Sequence, residues 1–127
     1  MTVLEEIKEV ATSSAQVAKR AAQKMPRDSY GSEKVLREFH DTLLNLRAEL
    51  LALYKIAVLE ARRTDSPEEI TAIWREVLFF CQGTLAVWQG VHAFEPVTQG
   101  LIDEYRKQLE QLKAAATEHF QFHNGLE

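Results

Sequence analysis

The middle of this chain is more apolar than a lone bundle of helices can cover. The stretch 77–94 (VLFFCQGTLAVWQGVHAF) contains no Asp, Glu, Lys or Arg, and the stretch 50–59 (LLALYKIAVL) contains only Lys55. Both have the composition of helices, and a helix at the surface of a bundle normally keeps a polar stripe. A helix that is apolar nearly all round must be covered on every side. The sequence therefore predicts a protein that associates with a second copy of itself.

Periodicity and local stop signals predict four helices, at about residues 3–25, 32–63, 67–94 and 96–120. Apolar residues of the second segment alternate three and four apart, as in a heptad seam, and include Leu43, Leu46, Leu50 and Leu53. Pro26 is expected to end the first helix, because the residue before a proline is pushed out of helical geometry. Pro96 is expected to open the fourth helix after a turn, and a kink that lets the third helix continue is the alternative.

The segment 64–69 carries the clearest start signal for a helix. Ser66 is predicted to be the N-cap and Pro67 the first helical residue, with Glu69 completing a capping box. Further along the same helix, Gly83 and Gly90 lie seven residues apart. Each glycine costs about 1 kcal/mol relative to alanine in a helix interior, so both are predicted to serve close helix packing or a bend.

These elements predict an all-α fold. Its architecture is expected to be an elongated antiparallel (up-down-up-down) four-helix bundle. One domain over residues 1–125 fits the length of the chain. The last two residues, Leu126 and Glu127, resemble the remnant of a cloning site and are left out of the fold prediction.

A second apolar stripe runs beside the heptad seam of the second helix. It consists of Leu44, Leu51 and Val58, which lie seven residues apart. Because the seam already supplies a core face, the stripe is assigned to a partner subunit or to a further helix. Phe79 and Val87 of the apolar third helix are assigned to the subunit interface as well. These five residues are the predicted homodimer interface.

An aromatic pocket is the alternative to a filled interface. Tyr54, Trp74, Trp88 and His92 carry the ring and polar groups that a small-molecule site or an enzymatic bundle would need. The sequence contains no nucleophile elbow and no glycine-rich phosphate loop. His40, which lies between Glu38 and Asp41, fits either a general base or a boundary histidine among solvated charges, and the second interpretation is preferred. No catalytic residue is therefore assigned.

No metal site and no cofactor are predicted. Di-iron bundles use Glu-x-x-His on two helices, and this chain has no such motif. His92 and Glu95 occur in the reverse order. His119 and His123 lie four residues apart, but no third ligand has a matching spacing.

Basic residues gather around the first connection between helices. A nucleic-acid patch there would consist of Lys19, Arg20, Lys24, Arg27, Lys34 and Arg37. The net charge of −4 argues against general nucleic-acid binding, and helix C-termini favour cations in any case. A subunit of a nucleic-acid complex is kept as a lesser alternative.

The function that follows is a protein–protein interaction module. An adaptor, a small subunit or a chaperone-like homodimer accounts for the surplus apolar surface and for the lack of a catalytic motif. An enzymatic role belongs only to the pocket alternative. The stretch 77–94 contains polar residues and lacks the flanking basic residues of a membrane span, so no span is expected and a cytoplasmic location is predicted.

Overall fold

The computed structural model describes residues 3–24 and 33–123 and contains four helices. These are α1 (Val3–Gln23), α2 (Glu33–Arg63), α3 (Pro67–Trp88) and α4 (Pro96–His123). The prediction of an all-α four-helix bundle is confirmed. The predicted end of α2 and the predicted starts of α3 and α4 agree with the structure. The predicted boundaries at Met25 and Ser32 lie outside the described residues, as do Pro26 and the last two residues of the chain.

Successive helices run in opposite directions, so that α1 is parallel to α3 and α2 is parallel to α4. Hydrogen bonds between distant residues fix this arrangement. The C-terminal halves of α1 and α3 meet where Trp88 contacts Ala18, and the N-terminal halves of α2 and α4 meet where His40 contacts Thr98. Each parallel pair packs side by side, whereas α1 and α4 are not neighbours anywhere within residues 3–24 and 33–123. Helices α1 and α4 therefore occupy opposite corners of the bundle.

The core runs along the whole bundle and draws on all four helices. Its largest fully buried side chains are Trp74, Trp88, Tyr105, Ile7, Leu43, Leu46, Leu53, Ile73, Ile102 and Leu109. Helix α1 contributes mainly small residues, among them Ala11, Ala18 and Ala21. Small side chains let a neighbouring helix approach closely, which favours the packing of α1 against α2 and α3.

Local capping determines where α3 begins. The Ser66 hydroxyl accepts a hydrogen bond from the Glu69 amide at 3.3 Å, as predicted for an N-cap. The reciprocal half of the capping box differs from the prediction. The Glu69 carboxylate accepts from the Thr64 hydroxyl at 2.5 Å. The Ser66 amide donates to Thr64 Oγ1 at 3.2 Å instead. Thr64 thus takes the place expected for Glu69.

Helix α3 ends at Trp88, six residues before the predicted end at Phe94. The side chain of Arg106, on α4, explains the difference. Its Nε donates to the carbonyl of Trp88 at 2.9 Å, and its Nη2 donates to the carbonyl of Val91. Carbonyls at the end of a helix have no intrahelical partner, so a guanidinium that satisfies them stabilises the end at this position. The prediction that Pro96 opens a separate helix is confirmed, with residues 89–95 as the connection.

The apolar character of α3 has a second consequence. By length and composition, α3 alone among the described helices could cross a membrane, with a mean hydropathy of 1.2 over its most apolar window. Of that window, 44% is buried inside the bundle. The core helix of a soluble bundle has the same composition, so this finding is weak evidence for a membrane span.

Candidate functional site

The predicted interface residues lie at the surface to different extents. Leu51 is 58% exposed, Phe79 55%, Leu44 49% and Val87 37%. Val58 is only partly exposed and packs against the core. Four of the five residues therefore present apolar surface that the described part of this chain does not cover.

Leu44 and Leu51 lie on the side of α2 that faces α4. Leu51 lines a groove of about 220 Å³ between these helices, which we call the α2/α4 groove; it is lined by Leu50, Leu51, Tyr54, Gln108, Gln111, Leu112 and Ala115. Val97 is 62% exposed and precedes Gln108 and Ala115 by whole numbers of helical turns, so it lies on the same stripe of α4. Phe94, 86% exposed, lies in the connection that precedes α4. We call Leu44, Leu51 and Val97 the α2/α4 face.

Phe79 and Val87 belong to a different surface. They lie on the outer side of α3, whose inner side carries the buried Val77, Cys81 and Trp88. Gly83 lies between them and is exposed, and no described atom outside the local backbone lies within 4 Å of a Cβ added there or at Gly90. Neither glycine therefore packs closely against another described helix, and Gly90 lies in the turn that follows α3. The five predicted interface residues do not form one continuous surface.

The four residues of the predicted aromatic pocket are not brought together. Trp74 and Trp88 are fully buried and stand 14 positions apart on α3, which corresponds to about 21 Å. Trp74 stacks on His119 with ring centroids 4.2 Å apart, and its other aromatic neighbour is Tyr54 at 6.0 Å. His92 is exposed in the connection 89–95.

Trp88 is held by partners of its own. Its Nε1 donates to the carbonyl of Ala18 at 3.2 Å, and its ring lies edge-on to Tyr105 at 5.1 Å. Phe39 completes the surroundings with a ring centroid at 6.4 Å. Each tryptophan thus fills its own part of the core, with side chains where a ligand would have to lie.

His40 is linked through the Thr98 hydroxyl to a carboxylate, that of Glu95, which the sequence did not indicate. Its Nε2 lies 2.7 Å from Thr98 Oγ1, and the same hydroxyl lies 2.7 Å from Glu95 Oε2. Glu95 also accepts hydrogen bonds from the amides of Val97 and Thr98, at 3.0 and 2.8 Å. These amides lie in the first turn of α4, where they have no acceptor within the helix. These hydrogen bonds hold the pKa of the Glu95 carboxyl below its usual value, with the Thr98 hydroxyl as the largest cause.

The positions of the protons in this His40–Thr98–Glu95 network determine whether His40 can accept a proton from Thr98. A hydroxyl carries one proton, and Thr98 donates it to the carboxylate of Glu95. The contact with His40 must then use the Nε2 proton of the imidazole as donor. His40 is consequently unable to act as a base toward Thr98, which is itself 1% exposed. The network joins the N-terminal half of α2 to the first turn of α4. Its partners lie 58 residues apart in sequence, so local pattern could not reveal it.

A second groove separates α1 from α2 and contains an unpaired carboxylate oxygen. The groove measures about 410 Å³ and is lined by Glu9, Val10, Ser13, Ser14, Glu49 and Ala52. Glu49 Oε2 is buried and has no hydrogen-bond partner among the described residues. Burial raises the pKa of the Glu49 carboxyl above its usual value, because the charged form loses water without gaining a donor.

Two other buried groups stay protonated at neutral pH. Burial raises the pKa of the Cys81 thiol to about 12, so the lone cysteine is unreactive. Burial also raises the pKa of the Tyr105 hydroxyl, with a smaller contribution from Glu49. Within residues 3–24 and 33–123, no three His, Cys, Asp or Glu side chains lie close enough to hold a metal ion.

The described residues of the basic patch are exposed at one end of the bundle, where α1 ends and α2 begins: Lys19, Arg20, Lys24, Lys34 and Arg37. Arg37 is paired with Glu33 at 3.1 Å on the same helix. Arg27 lies outside the described residues. One cation of the patch is thus paired with a carboxylate on its own helix.

The chain was compared with protein-family models, with curated proteins and with solved structures, and no match was found in any of the three comparisons.

Proposed function

We propose that this chain is a non-enzymatic helical interaction module that acts as a homodimer, with the α2/α4 face as its contact surface. The observation that carries the proposal is the exposure of Leu44 and Leu51 on one stripe of α2, where Leu51 lines an apolar groove, with the exposed Val97 on the facing stripe of α4. Single exposed apolar residues are normal on soluble proteins, but a contiguous patch marks an interaction site.

The amount of apolar surface favours the α2/α4 face over the outer side of α3. With roughly 200 Å² for a large apolar residue, the exposed fractions of Leu44, Leu51 and Val97 amount to about 340 Å². The two large apolar residues on the outer side of α3, Phe79 and Val87, offer about 180 Å² on the same basis.

The alternatives gain less support. A small-molecule or enzymatic site around Trp74 and Trp88 would need space that side chains occupy. A nucleic-acid surface would need an excess of cations, and the basic patch includes an internal ion pair of Arg37 with Glu33.

The oligomeric state tests the proposal. We expect the parent chain to run at twice its 14.5 kDa by light scattering at micromolar concentration. Leu51→Asp should give a folded monomer, because a lone carboxylate is not tolerated at the centre of an apolar contact. Leu59→Asp is the matched control, since Leu59 is 52% exposed on the same helix but lies on the side away from α4. A monomeric parent, or equal disruption by both variants, would contradict the proposal.

A further inference from the structure

The groove between α1 and α2, which we call the α1/α2 groove, differs from the α2/α4 groove in the groups that line it. Val10 and Ala52 are its apolar lining residues. The other four are polar, and every polar side-chain atom among them is an oxygen: Glu9, Ser13, Ser14 and Glu49. Its volume of about 410 Å³ lies within the range of about 300–1,000 Å³ that is usual for small-molecule sites.

Ser14 contributes a buried hydroxyl that has no partner within the described part of the chain. The residue is 8% exposed and lines the groove, and its hydroxyl makes no hydrogen bond to a described residue. Hydroxyls elsewhere in the bundle donate back to the carbonyl four residues earlier, as those of Thr42 and Thr117 do. Since buried polar groups are normally paired, the Ser14 hydroxyl is left for a group that enters the groove.

Glu49 contributes a second unpaired group from the opposite wall of the groove. Its Oε2 is buried and has no hydrogen-bond partner among the described residues. None of the ion pairs between described residues includes Glu9 or Glu49, although Lys8 and Lys55 lie on the same two helices. The α1/α2 groove therefore presents two carboxylates that no cation of the described chain neutralises.

These lining groups favour a cation that donates hydrogen bonds. An ionised carboxylate is an acceptor only, whereas a primary ammonium group is a donor only. Hydrogen bonds between two ionised partners are shorter and stronger than bonds between neutral groups. An ammonium group in the groove can donate to the carboxylate of Glu49 and to the hydroxyl oxygen of Ser14, and an anion there would be repelled by both glutamates.

The composition of the groove favours an organic amine over a metal ion. A calcium ion takes about six to eight oxygen ligands, and two carboxylates with two hydroxyls line this groove. No three His, Cys, Asp or Glu side chains of the described residues lie close enough to hold a metal ion. Val10 and Ala52 add apolar surface, which an alkyl chain can bury and a metal ion cannot use.

We propose that the α1/α2 groove binds a small aliphatic primary amine in its ammonium form. The ammonium group lies between Glu49 and Ser14, and the alkyl chain packs against Val10 and Ala52. Glu9, which is exposed, adds a second negative charge that attracts the cation from solvent. The groove lies on the side of α2 that faces α1, so this site is independent of the α2/α4 face and of the proposed homodimer.

Titration of the full chain with butylammonium chloride at neutral pH tests the proposal. Proton–nitrogen correlation NMR spectra should show saturable shifts confined to the neighbourhood of residues 9–14 and 49–52. Butanol and butyrate share the alkyl chain but lack the cation, and they should leave these signals unchanged. Shifts scattered over the surface, equal shifts with butanol, or a response to calcium chloride but not to butylammonium would overturn the proposal.

Two variants locate the ammonium group within the groove. Glu49→Gln should weaken binding by about tenfold or more, because an ionised acceptor is lost, and Ser14→Ala by about threefold or more. Glu104→Gln, at an exposed position of α4, is the matched control and should bind as the parent does. Circular dichroism should show all three variants folded. Equal affinity in the parent and in Glu49→Gln would overturn the proposal.

The source of the ammonium group is distinguished by a capped lysine. Nα-acetyl-lysine amide carries the same butylammonium group on a peptide backbone. Binding no tighter than that of butylammonium supports a small amine as the ligand. Clearly tighter binding of the capped lysine would assign the groove to a lysine side chain of a protein and overturn the small-molecule ligand.

Discussion

Helix α2 packs against both α4 and α1, and the two contacts differ in their polar groups. Hydrogen bonds join α2 to α4, whereas beside α1 one carboxylate oxygen of α2 has no partner among the described residues. Toward α4, His40 contacts Thr98 and Arg47 donates to Gln108. Toward α1, Glu49 shares a groove with Ser13 and Ser14, and its Oε2 has no partner among the described residues. Polar side chains of α2 are therefore hydrogen-bonded on the side facing α4, and one is left partly unpaired on the side facing α1.

The difference is clearest in two glutamates. Glu95 accepts two backbone amides and one hydroxyl at the start of α4, and its pKa is lowered. Glu49 loses water without comparable donors, and its pKa is raised. The same side chain therefore stabilises one contact and weakens another, according to how many protons are offered to its oxygens.

The largest change in the free energy of unfolding is expected at the hydrogen bond that joins α1 to α3. Trp88→Phe removes the Nε1 donor that bonds to the carbonyl of Ala18 and part of a buried ring, and should lower the free energy of unfolding by roughly 2–3 kcal/mol. The urea midpoint at unchanged slope measures it. Trp74→Phe, which alters contacts with α2 and α4, is the control and should cost less. Equal losses would mean that the bond to α1 contributes nothing of its own.

A smaller effect is expected from the network between α2 and α4. Thr98→Val keeps the shape but removes the hydroxyl between His40 and Glu95, and should cost about 1–2 kcal/mol because a partly buried imidazole donor loses its acceptor. Thr117→Val is the matched control, since the Thr117 hydroxyl donates only to the carbonyl of Lys113 within α4. We expect that variant to unfold within about 0.5 kcal/mol of the parent. A Thr98→Val variant as stable as the control would show that the network is dispensable.

The smallest effect should have the opposite sign. Glu49→Gln should stabilise the protein at pH 7 by a few tenths of a kcal/mol and by no more than about 1, since solvent screens a partly exposed group. Glu104→Gln, at an exposed position of α4, should change the stability little. A destabilised Glu49→Gln variant would mean that the carboxylate makes a favourable contact in solution.

The pH dependence gives this last prediction a second readout. The pKa of Glu49 is raised in the folded state above 4.5, so the folded protein holds this proton longer than the unfolded chain does. Its contribution to stability is complete below about pH 4.5 and is lost as the pH rises through the folded pKa. The advantage of Glu49→Gln should therefore appear at neutral pH and vanish in acid. Glu95 has the reverse dependence. Its lowered pKa stabilises the folded protein at pH values above the pKa of this group in the unfolded chain, and that contribution is lost as the pH falls through the folded pKa.

The sequence predicted those parts of the fold that depend on neighbours along the chain. Ser66 and Pro67 mark the start of α3, and Pro96 marks the start of α4, because caps and prolines act within one turn. The end of α3 was predicted wrongly, since the group that stabilises it is the guanidinium of Arg106, 18 positions beyond Trp88. The apolar periodicity of the sequence continues through Val91, beyond the end of α3 at Trp88, so periodicity alone could not locate that end.

The candidate site was less predictable for the same reason. Exposure of Leu44 and Leu51 follows from a stripe beside a complete core face, which periodicity reveals. For Gly83 the sequence left close packing and a bend open, and no described side chain lies against it. A sequence shows a missing side chain without showing what lies opposite. The partner of His40 was missed, since a hydrogen bond between helices depends on how they are placed in space.

The placement of α1 beside α3 also orders events during synthesis. Helix α1 leaves the ribosome first, but α3, a main neighbour that covers its buried face, follows only after the whole of α2. Likewise, α2 lacks one of its neighbours until α4 has been synthesised. The chain therefore has a higher contact order than a bundle in which each helix packs chiefly on the next, which slows folding. Until α3 is complete, the apolar residues of the first two helices have only each other for cover, and a nascent chain in that state is exposed to aggregation.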